Sequence, residues 1–294
     1  MAARSLAPST RRSYAIAMLR LQTFACSMMV ATWFPSSPYL ILAFIPHLID
    51  CSLSHASIRS IMSAITYYHS FFSLPDPVRH HLVHKALSCD AKERPASDNR
   101  MPVTLPLLND ILTACNSMAP SHFVAALTRA LFSTMFFAFL RISEVTAGPH
   151  NLAFQNVNLT SQAATITFTS FKHSSSAHHS LVLHATSSPV CPVRALARYL
   201  QLRPSASGPL FVFSDGAPLS AAFLNHFLRQ CLSFSNLPTT NISSHSFRIG
   251  AATWAAANGH STERIRLMGR WRSDAFKRYI RIPSISVSSS HAHN

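Results

Sequence analysis

Ser243-Ser244-His245-Ser246-Phe247-Arg248-Ile249-Gly250 is followed further along the chain by Gly269-Arg270-Trp271 and then by Lys277-Arg278-Tyr279. A histidine and an arginine three apart at a helix start share one face. A bulky aromatic donor comes next, and a phenol closes the series within a dense run of Arg272, Lys277, Arg278 and Arg281. Planar, permanently charged guanidinium forks suit phosphate oxygens, so the set is chemistry aimed at a phosphate. The rest of the chain reads as a scaffold arranged around it.

The chain has 294 residues, long enough for two ordinary domains, since a single core rarely grows beyond roughly 250 residues. Its 25 Lys and Arg against 10 Asp and Glu give a formal charge of +15, which suits nucleic acid or an anionic membrane surface. A hydrophobic fraction of 48% argues for folded cores and against a disordered basic tail. Cys26, Cys51, Cys89, Cys115, Cys191 and Cys231 stand far apart with no C-x-x-C pair. Reduced thiols in a cytosolic or nuclear protein are therefore expected, not zinc or a secreted scaffold. Tyr39 to Cys51 is short and carries Pro46, His47 and Asp50, while Phe123 to Leu140 is interrupted by Arg129. Both read as core helices, and no membrane partner is expected. The start, Met1 to Ser13, is Arg- and Ser-rich without an acid; it reads as a basic arm, with a mitochondrial transit peptide as the alternative.

Toward the N-terminus, Ser9 or Thr10 is predicted to cap a helix reaching Met28, and a second helix covers Tyr39 to Leu48 after Pro35 and Pro38. A third, from Ser54 to Phe72, has Ile58, Ile61, Met62 and Ile65 along one stripe. A fourth starts at Pro77 with Asp76 as its cap and carries Val78, Leu82, Val83 and Leu87. Four helices without a strand signal make an all-α domain over 1–89. Residues 90–103, charged and nearly free of apolar side chains, read as a linker.

Beyond the linker, Leu105 to Cys115 and Ser121 to Leu140 are predicted helices, the second so apolar that it must be buried, delivering Arg141 at its end. Ala164 to Phe171 alternates, and Leu181 to His184 follows a Ser/His-rich turn, which predicts a β-hairpin with a long tip and Lys172 where the first strand gives way. Cys191 to Leu202 reads as a helix, Leu210 to Phe213 as a short strand before an Asp215-Gly216 turn, and Ser220 to Phe234 as a helix. Helices carry the chain on to Ile280. The Ser- and His-rich stretch 284–294 is expected to be a disordered tail. Six glycines form neither a G-x-G-x-x-G nor a Walker A loop. The expected fold class is mainly α with a small β-hairpin or sheet (α+β), the second domain covering 104–283.

Phe139-Leu140-Arg141-Ile142-Ser143-Glu144, a hairpin lysine, His245-Ser246-Phe247-Arg248, and Gly269-Arg270-Trp271 followed by Tyr279 resemble, in this order and spacing, the tyrosine recombinase family (phage integrase, XerD-like). Each motif alone is unspecific; together, on compatible secondary structure, they are specific. The match runs from about residue 105 to residue 281, and the first domain, with its Thr10-to-Tyr14 opening, is similar to the family's helical core-binding (SAM-like) domain. The ending from Gly269 to Arg281 most resembles recombinases of eukaryotic mobile elements of the DIRS and Crypton kinds. The resemblance implies a site-specific DNA recombinase or integrase that breaks and rejoins strands through a 3′-phosphotyrosyl intermediate. It further implies a homotetramer on paired double-stranded DNA sites and no cofactor. The expected location is the nucleus if the host is eukaryotic, otherwise the cytoplasm.

Within that reading, Arg141 and Arg248 are the stabilisers of a pentacoordinate phosphorus, though a cation after a helix also complements the macrodipole. Glu144 orients Arg141 or a neighbouring histidine, or is an exposed helix charge. Lys172 protonates the departing 5′ oxygen, because an alkoxide leaves poorly without a general acid. His173, His178 and His179 lack the spacing and acidic partner of a metal set. His245 hydrogen-bonds the phosphate or relays the tyrosine proton. Trp271 is a donor of the right type where most of the family has histidine, yet Arg270 sits nine residues before Tyr279, the family's spacing, and Trp271 eight. Tyr279 is the expected nucleophile, its phenol set among cations that favour the phenolate. Arg11, Arg12, Arg59, Arg264, Arg272, Lys277 and Arg278 are the expected DNA phosphate contacts. After Arg141 the only acids are Glu144, Asp215, Glu263 and Asp274, too few converging carboxylates for a two-metal nuclease, so neither metal nor ATP is expected. The rivals are a catalytically silent DNA-binding relic of the same fold, a type IB topoisomerase acting as a monomer, and an unrelated basic helical protein at an organellar membrane.

Overall fold

Hydroxyl side chains start most helices of the computed structural model, which describes residues 6–95, 98–169 and 179–281. The chain divides into two compact units, Met1–Asp98 and Asn99–Asn294. The first holds α1 (Pro8–Ser27), α2 (Pro38–Asp50), α3 (His55–Phe71) and α4 (His81–Glu93). Ser37 accepts the Leu40 N–H at the head of α2, and Ser54 the Ser57 N–H at α3; each such cap is worth about 1 kcal/mol. Leu21, Phe24, Ile41, Phe44, Ile58, Met62, Ile65 and Val83 join the four helices in one core.

Two starts differ from expectation. Pro8 opens α1, so Ser9 and Thr10 lie inside the helix; proline's fixed φ suits a first turn whose N–H needs no helical partner. Asp76 does accept the Val78 N–H, but it caps only a 3-10 turn over Pro77–Arg79, and α4 begins at His81 after the extended His80.

α4 also runs into the expected linker, because Asp90 is held inside it. The Asp90 carboxylate receives His55 Nδ1 at 2.6 Å and Arg94 Nε at 2.6 Å, and Arg94 also donates to the Leu53 carbonyl at 2.8 Å. Burial opposes the charge, but the bonds from His55 and Arg94 outweigh it and hold the carboxyl below its ordinary range. A depressed folded pKa gives stability that is present above the unfolded value, about 3.9, and lost as pH falls through the lower folded value. Asp90→Asn is thus expected to destabilise the first unit by about 2 kcal/mol at neutral pH. In thermal unfolding the gap to wild type should close below about pH 4.

The second unit contains α5 (Leu105–Met118), α6 (His122–Phe137), the short α7 (Ile142–Val145), β1 (Val157–Leu159), β2 (Ala163–Phe168), β3 (His179–His184), α8 (Pro192–Leu202), α9 (Ala221–Phe234), α10 (Ser244–Ala257), α11 (Thr262–Met268) and a 3-10 turn over Asp274–Tyr279. Among the described residues the fold is mainly helical with one small antiparallel sheet, ordered β1-β2-β3, as expected. β2 buries Ala164, Ile166 and Phe168 by alternation and pairs Ile166 with both Val157 and Leu181. At three residues, β1 is too short to show a period. α6 forms the middle of the core, with Leu127, Leu131, Phe132, Met135 and Phe136 fully buried.

Leu210 to Phe213 is not a sheet strand: among described residues it makes a single bridge, Val212 to Pro218. The Tyr199 hydroxyl and Arg203 Nε take the Leu210 carbonyl at 3.2 and 3.1 Å, and the Val212 N–H donates to the Tyr199 oxygen. With those groups occupied, no ladder can form. The Asp215-Gly216 turn is present, Gly216 at φ 82°.

The end of the expected linker belongs to the second unit, since Met101 N–H donates to Asn241 and Val103 N–H to Ser246. Gly250 permits that approach: a Cβ there would lie 1.8 Å from the Val103 carbonyl oxygen. The second unit carries sixteen Lys and Arg against five Asp and Glu, a formal +11 of the chain's +15. No described helix is long and apolar enough to cross a membrane. The hairpin tip with Lys172 and the stretch 284–294 lie outside the described residues.

Candidate active site

α6 and α11 stop in the same way. Phe139 N–H reaches back to Phe136 and Leu140 N–H to Met135; Arg270 N–H reaches Leu267 and Trp271 N–H reaches Arg266. The crossed bonds put Phe139 at φ 52° and Arg270 at φ 54°, a left-handed position usually given to glycine and costing another residue about 1–3 kcal/mol. α6 therefore ends at Phe137, short of Leu140, and Arg141 stands at the head of α7 instead of closing α6.

The carbonyls that helix ends leave without partners are met here by guanidiniums. Arg248, from α10, donates to the carbonyls of Phe139 and Gly269. Arg270 donates to Ala138 at 3.2 Å and to Phe139 at 3.3 Å. Two strained helix ends are thereby stitched to each other and to α10.

Glu144, 1% exposed, ties this stitching to Arg141. One carboxylate oxygen accepts Arg270 Nη2 at 2.7 Å and the Arg141 backbone N–H at 2.8 Å; the other accepts Arg141 Nη1 at 3.1 Å. The Arg270 guanidinium is wholly buried and lies 3.7 Å from the Phe168 ring centre. Burial pushes its pKa down to about 10 despite the Glu144 charge. Burial, together with the charges of Arg141 and Arg270, also holds Arg248 well below the ordinary guanidinium range. Glu144 pairs with two guanidiniums while the charges of all three repel one another, and a bound anion would relieve the excess.

Trp271 packs its ring against Gly269, where a Cβ would fall 1.6 Å from a ring carbon. Its ring faces the Arg248 guanidinium at 4.1 Å and is 5.5 Å from the ring of Tyr279, which in turn is 5.0 Å from the ring of His245. Arg141, His245, Arg248, Trp271, Arg272 and Tyr279 are among the residues around one cavity of about 670 Å³.

The structure thus gathers Arg141, Glu144, His245, Arg248, Arg270, Trp271 and Tyr279; Arg270 also lines the cavity, though its side chain, like that of Glu144, is buried. Glu144 is not an exposed charge. Lys172 lies outside the described residues. Arg264, Arg272, Lys277 and Arg278 are exposed on the second unit, and Arg11, Arg12 and Arg59 on the first. Lys277 pairs with Asp274 at 2.6 Å. Phe168, which seats Arg270, reads from the sequence only as an inward strand residue; no local pattern marks it. Among the described residues no three His, Cys, Asp or Glu side chains gather as metal ligands would.

The family profile described as the phage integrase family matches residues 107–282. A search of curated protein sequences found no match. Among solved structures, the chain is similar to the XerH site-specific recombinase bound to palindromic difH substrate in a post-cleavage complex, at 16% identity over 93% of this chain and 76% of that one, TM-score 0.64. It is similar also to a lambda integrase dimer bound to a COC′ core site, at 12% identity over 95% and 73% of the two chains, TM-score 0.66. A third similar structure is the Tn1549 transposon integrase in complex with transposon right end DNA, at 13% identity over 95% and 91%, TM-score 0.64. At these identities the likeness is one of fold.

Proposed function

The chain belongs to the phage integrase family, the tyrosine recombinases, and from that premise we propose that it breaks and rejoins DNA strands site-specifically through a 3′-phosphotyrosyl intermediate. The observation that carries the proposal is the position of Tyr279, its ring 5.0 Å from His245 and 5.5 Å from Trp271 on a cavity walled by Arg141 and Arg248. In the proposed step the Tyr279 oxygen forms a bond to phosphorus as the bond to the 5′ oxygen breaks. The phenolic proton leaves by way of His245, and the 5′ oxygen takes a proton from Lys172, which enters on the family resemblance alone. Arg141 and Arg248 hold the non-bridging oxygens, where charge develops. A 5′ hydroxyl then attacks the phosphotyrosine and reverses the chemistry; the bond energy is kept, and the step draws on neither ATP nor metal.

Trp271 takes the fifth position in this reading. Both Trp271 and Arg270 line the cavity, but the Arg270 guanidinium is fully buried and engaged by Glu144 and by the carbonyls of Ala138 and Phe139. Double-stranded DNA is the proposed partner, supported by the +11 charge of the second unit. The Gly269-to-Arg281 ending supports a mobile-element recombinase of the DIRS or Crypton kind; the family resemblance supports a homotetramer on paired sites, in the nucleus if the host is eukaryotic and otherwise in the cytoplasm.

The target sequence need not be specified for the test. The protein is incubated with nicked duplexes of randomised sequence, and protein–DNA adducts that survive detergent are recovered and sequenced. Wild type is expected to form them and Tyr279→Phe to form none; an adduct retained in Tyr279→Phe ends the assignment.

A further inference from the structure

Several helical hydroxyls in this chain turn back on their own helix, while Ser133 and Thr66 reach other segments. Ser13, Thr23, Ser63, Ser88, Thr113 and Thr128 each donate to the carbonyl four residues earlier, the usual local bond of such residues. Thr253, set in the run Ala251-Ala252-Thr253-Trp254-Ala255-Ala256-Ala257 of α10, faces outward instead. Its hydroxyl donates to the Tyr279 carbonyl at 3.1 Å and accepts the Arg281 N–H at 3.0 Å. One side chain thus closes the backbone groups on both sides of Ile280. It does so from a position where alanine would be the better helix former.

The segment it holds is weakly bonded along its own backbone. Tyr279 ends a six-residue 3-10 turn whose Ser273 cap bond is 3.4 Å and whose last backbone bond, Ile280 N–H to Lys277, is 3.3 Å. Its Asp274–Lys277 ion pair is exposed and so contributes little. Phe276, fully buried among Phe139, Ala251, Ala255 and Ile265, anchors the middle of the turn. At the end that bears the phenol, the side chains of Tyr279 and Ile280 pack against the same cluster, and Thr253 holds the backbone.

We infer that Thr253 is a positioning residue: it fixes the Tyr279 backbone to the helix that carries His245 and Arg248, and so sets where the phenol stands relative to both. The inference rests on the reading of Tyr279 as nucleophile. In-line attack tolerates little displacement, a misplacement of about 1 Å costing about a hundredfold in rate.

The probe is a nicked duplex recovered from the randomised pool, used with the full chain in single-turnover adduct formation. Thr253→Val keeps the shape and loses both bonds; it is expected to slow adduct formation about a hundredfold with duplex affinity unchanged. Thr253→Ser keeps the hydroxyl and restores the rate. Thr253→Ala guards against a folding defect and should lose the same rate with an unchanged unfolding temperature. Amide hydrogen exchange at Arg281 should speed up in Thr253→Val and not in Thr253→Ser. Wild-type cleavage by Thr253→Val, a loss of affinity equal to the loss of rate, or no restoration by serine overturns the positioning role while Tyr279→Phe, run alongside, still upholds the nucleophile. An adduct formed by Tyr279→Phe removes both.

Discussion

Arg248→Lys is expected to lower the rate of adduct formation by about 10²- to 10³-fold, the loss that follows removal of one preorganised donor from a developing oxyanion. Three features make lysine a poor substitute. The guanidinium spans the carbonyls of Phe139 and Gly269 at once, and a compact ammonium cannot reproduce that fork. The Arg248 guanidinium carbon also sits over the Trp271 ring, 4.1 Å from its centre, a cation–π contact that arginine makes more often than lysine. Finally, burial and the charges of Arg141 and Arg270 push a base at this position toward neutrality. Arginine starts high enough to stay charged, but lysine starts at about 10.4, so the same push brings its loss of charge closer to neutral pH. The ratio of variant to wild-type rate is therefore expected to fall as pH rises. Single-turnover adduct formation across a pH series measures it. A variant within tenfold of wild type would remove Arg248 from the proposed chemistry.

The arginine stitching explains which parts of this molecule can be read from its sequence. The alternation of Ile166 and Phe168 in β2 and the His245–Arg248 spacing on α10 are local patterns, and such patterns are legible. The choice between Arg270 and Trp271 is not, because counting residues back from Tyr279 assumes a regular chain. Arg270 sits at φ 54°, and a left-handed residue sends its own side chain and the next one to different surroundings. Glycine normally flags such a position, but here the glycine is one residue earlier, at Gly269, where it clears space for the Trp271 ring. The same disguise hides the end of α6: Phe139 is left-handed with nothing in the sequence to say so. Leu210 to Phe213 misleads for a different reason. Its pattern fits a strand, but Tyr199 and Arg203, both from around the end of α8, occupy its backbone groups. Tertiary partners decided each of these cases.

Glu144 and Arg270 are expected to show the strongest coupling in the chain. Arg270→Met leaves the Glu144 carboxylate buried with Arg141 as its remaining charged partner, and Glu144→Leu leaves the Arg270 guanidinium buried with none of its counter-charge. Removing one member of a buried pair costs about 3–5 kcal/mol, while replacing both with apolar groups is often close to neutral. The double variant should therefore be more stable than either single one, a non-additivity that unfolding midpoints of the four proteins read directly. Arg270→Gly tests the backbone component separately. It loses the ion pair but relieves the left-handed conformation, so it should be more stable than Arg270→Ala by about 1 kcal/mol. Stability and chemistry then part company in the double variant. Arg141 is oriented by two bonds that it donates to Glu144, one from its backbone N–H and one from its guanidinium, and an apolar replacement restores neither. Adduct formation should stay depressed in the double variant even as its unfolding midpoint recovers. Recovery of both together would mean that Glu144 and Arg270 serve only the packing of the helix ends, and that Arg141 finds its place at the phosphate without them.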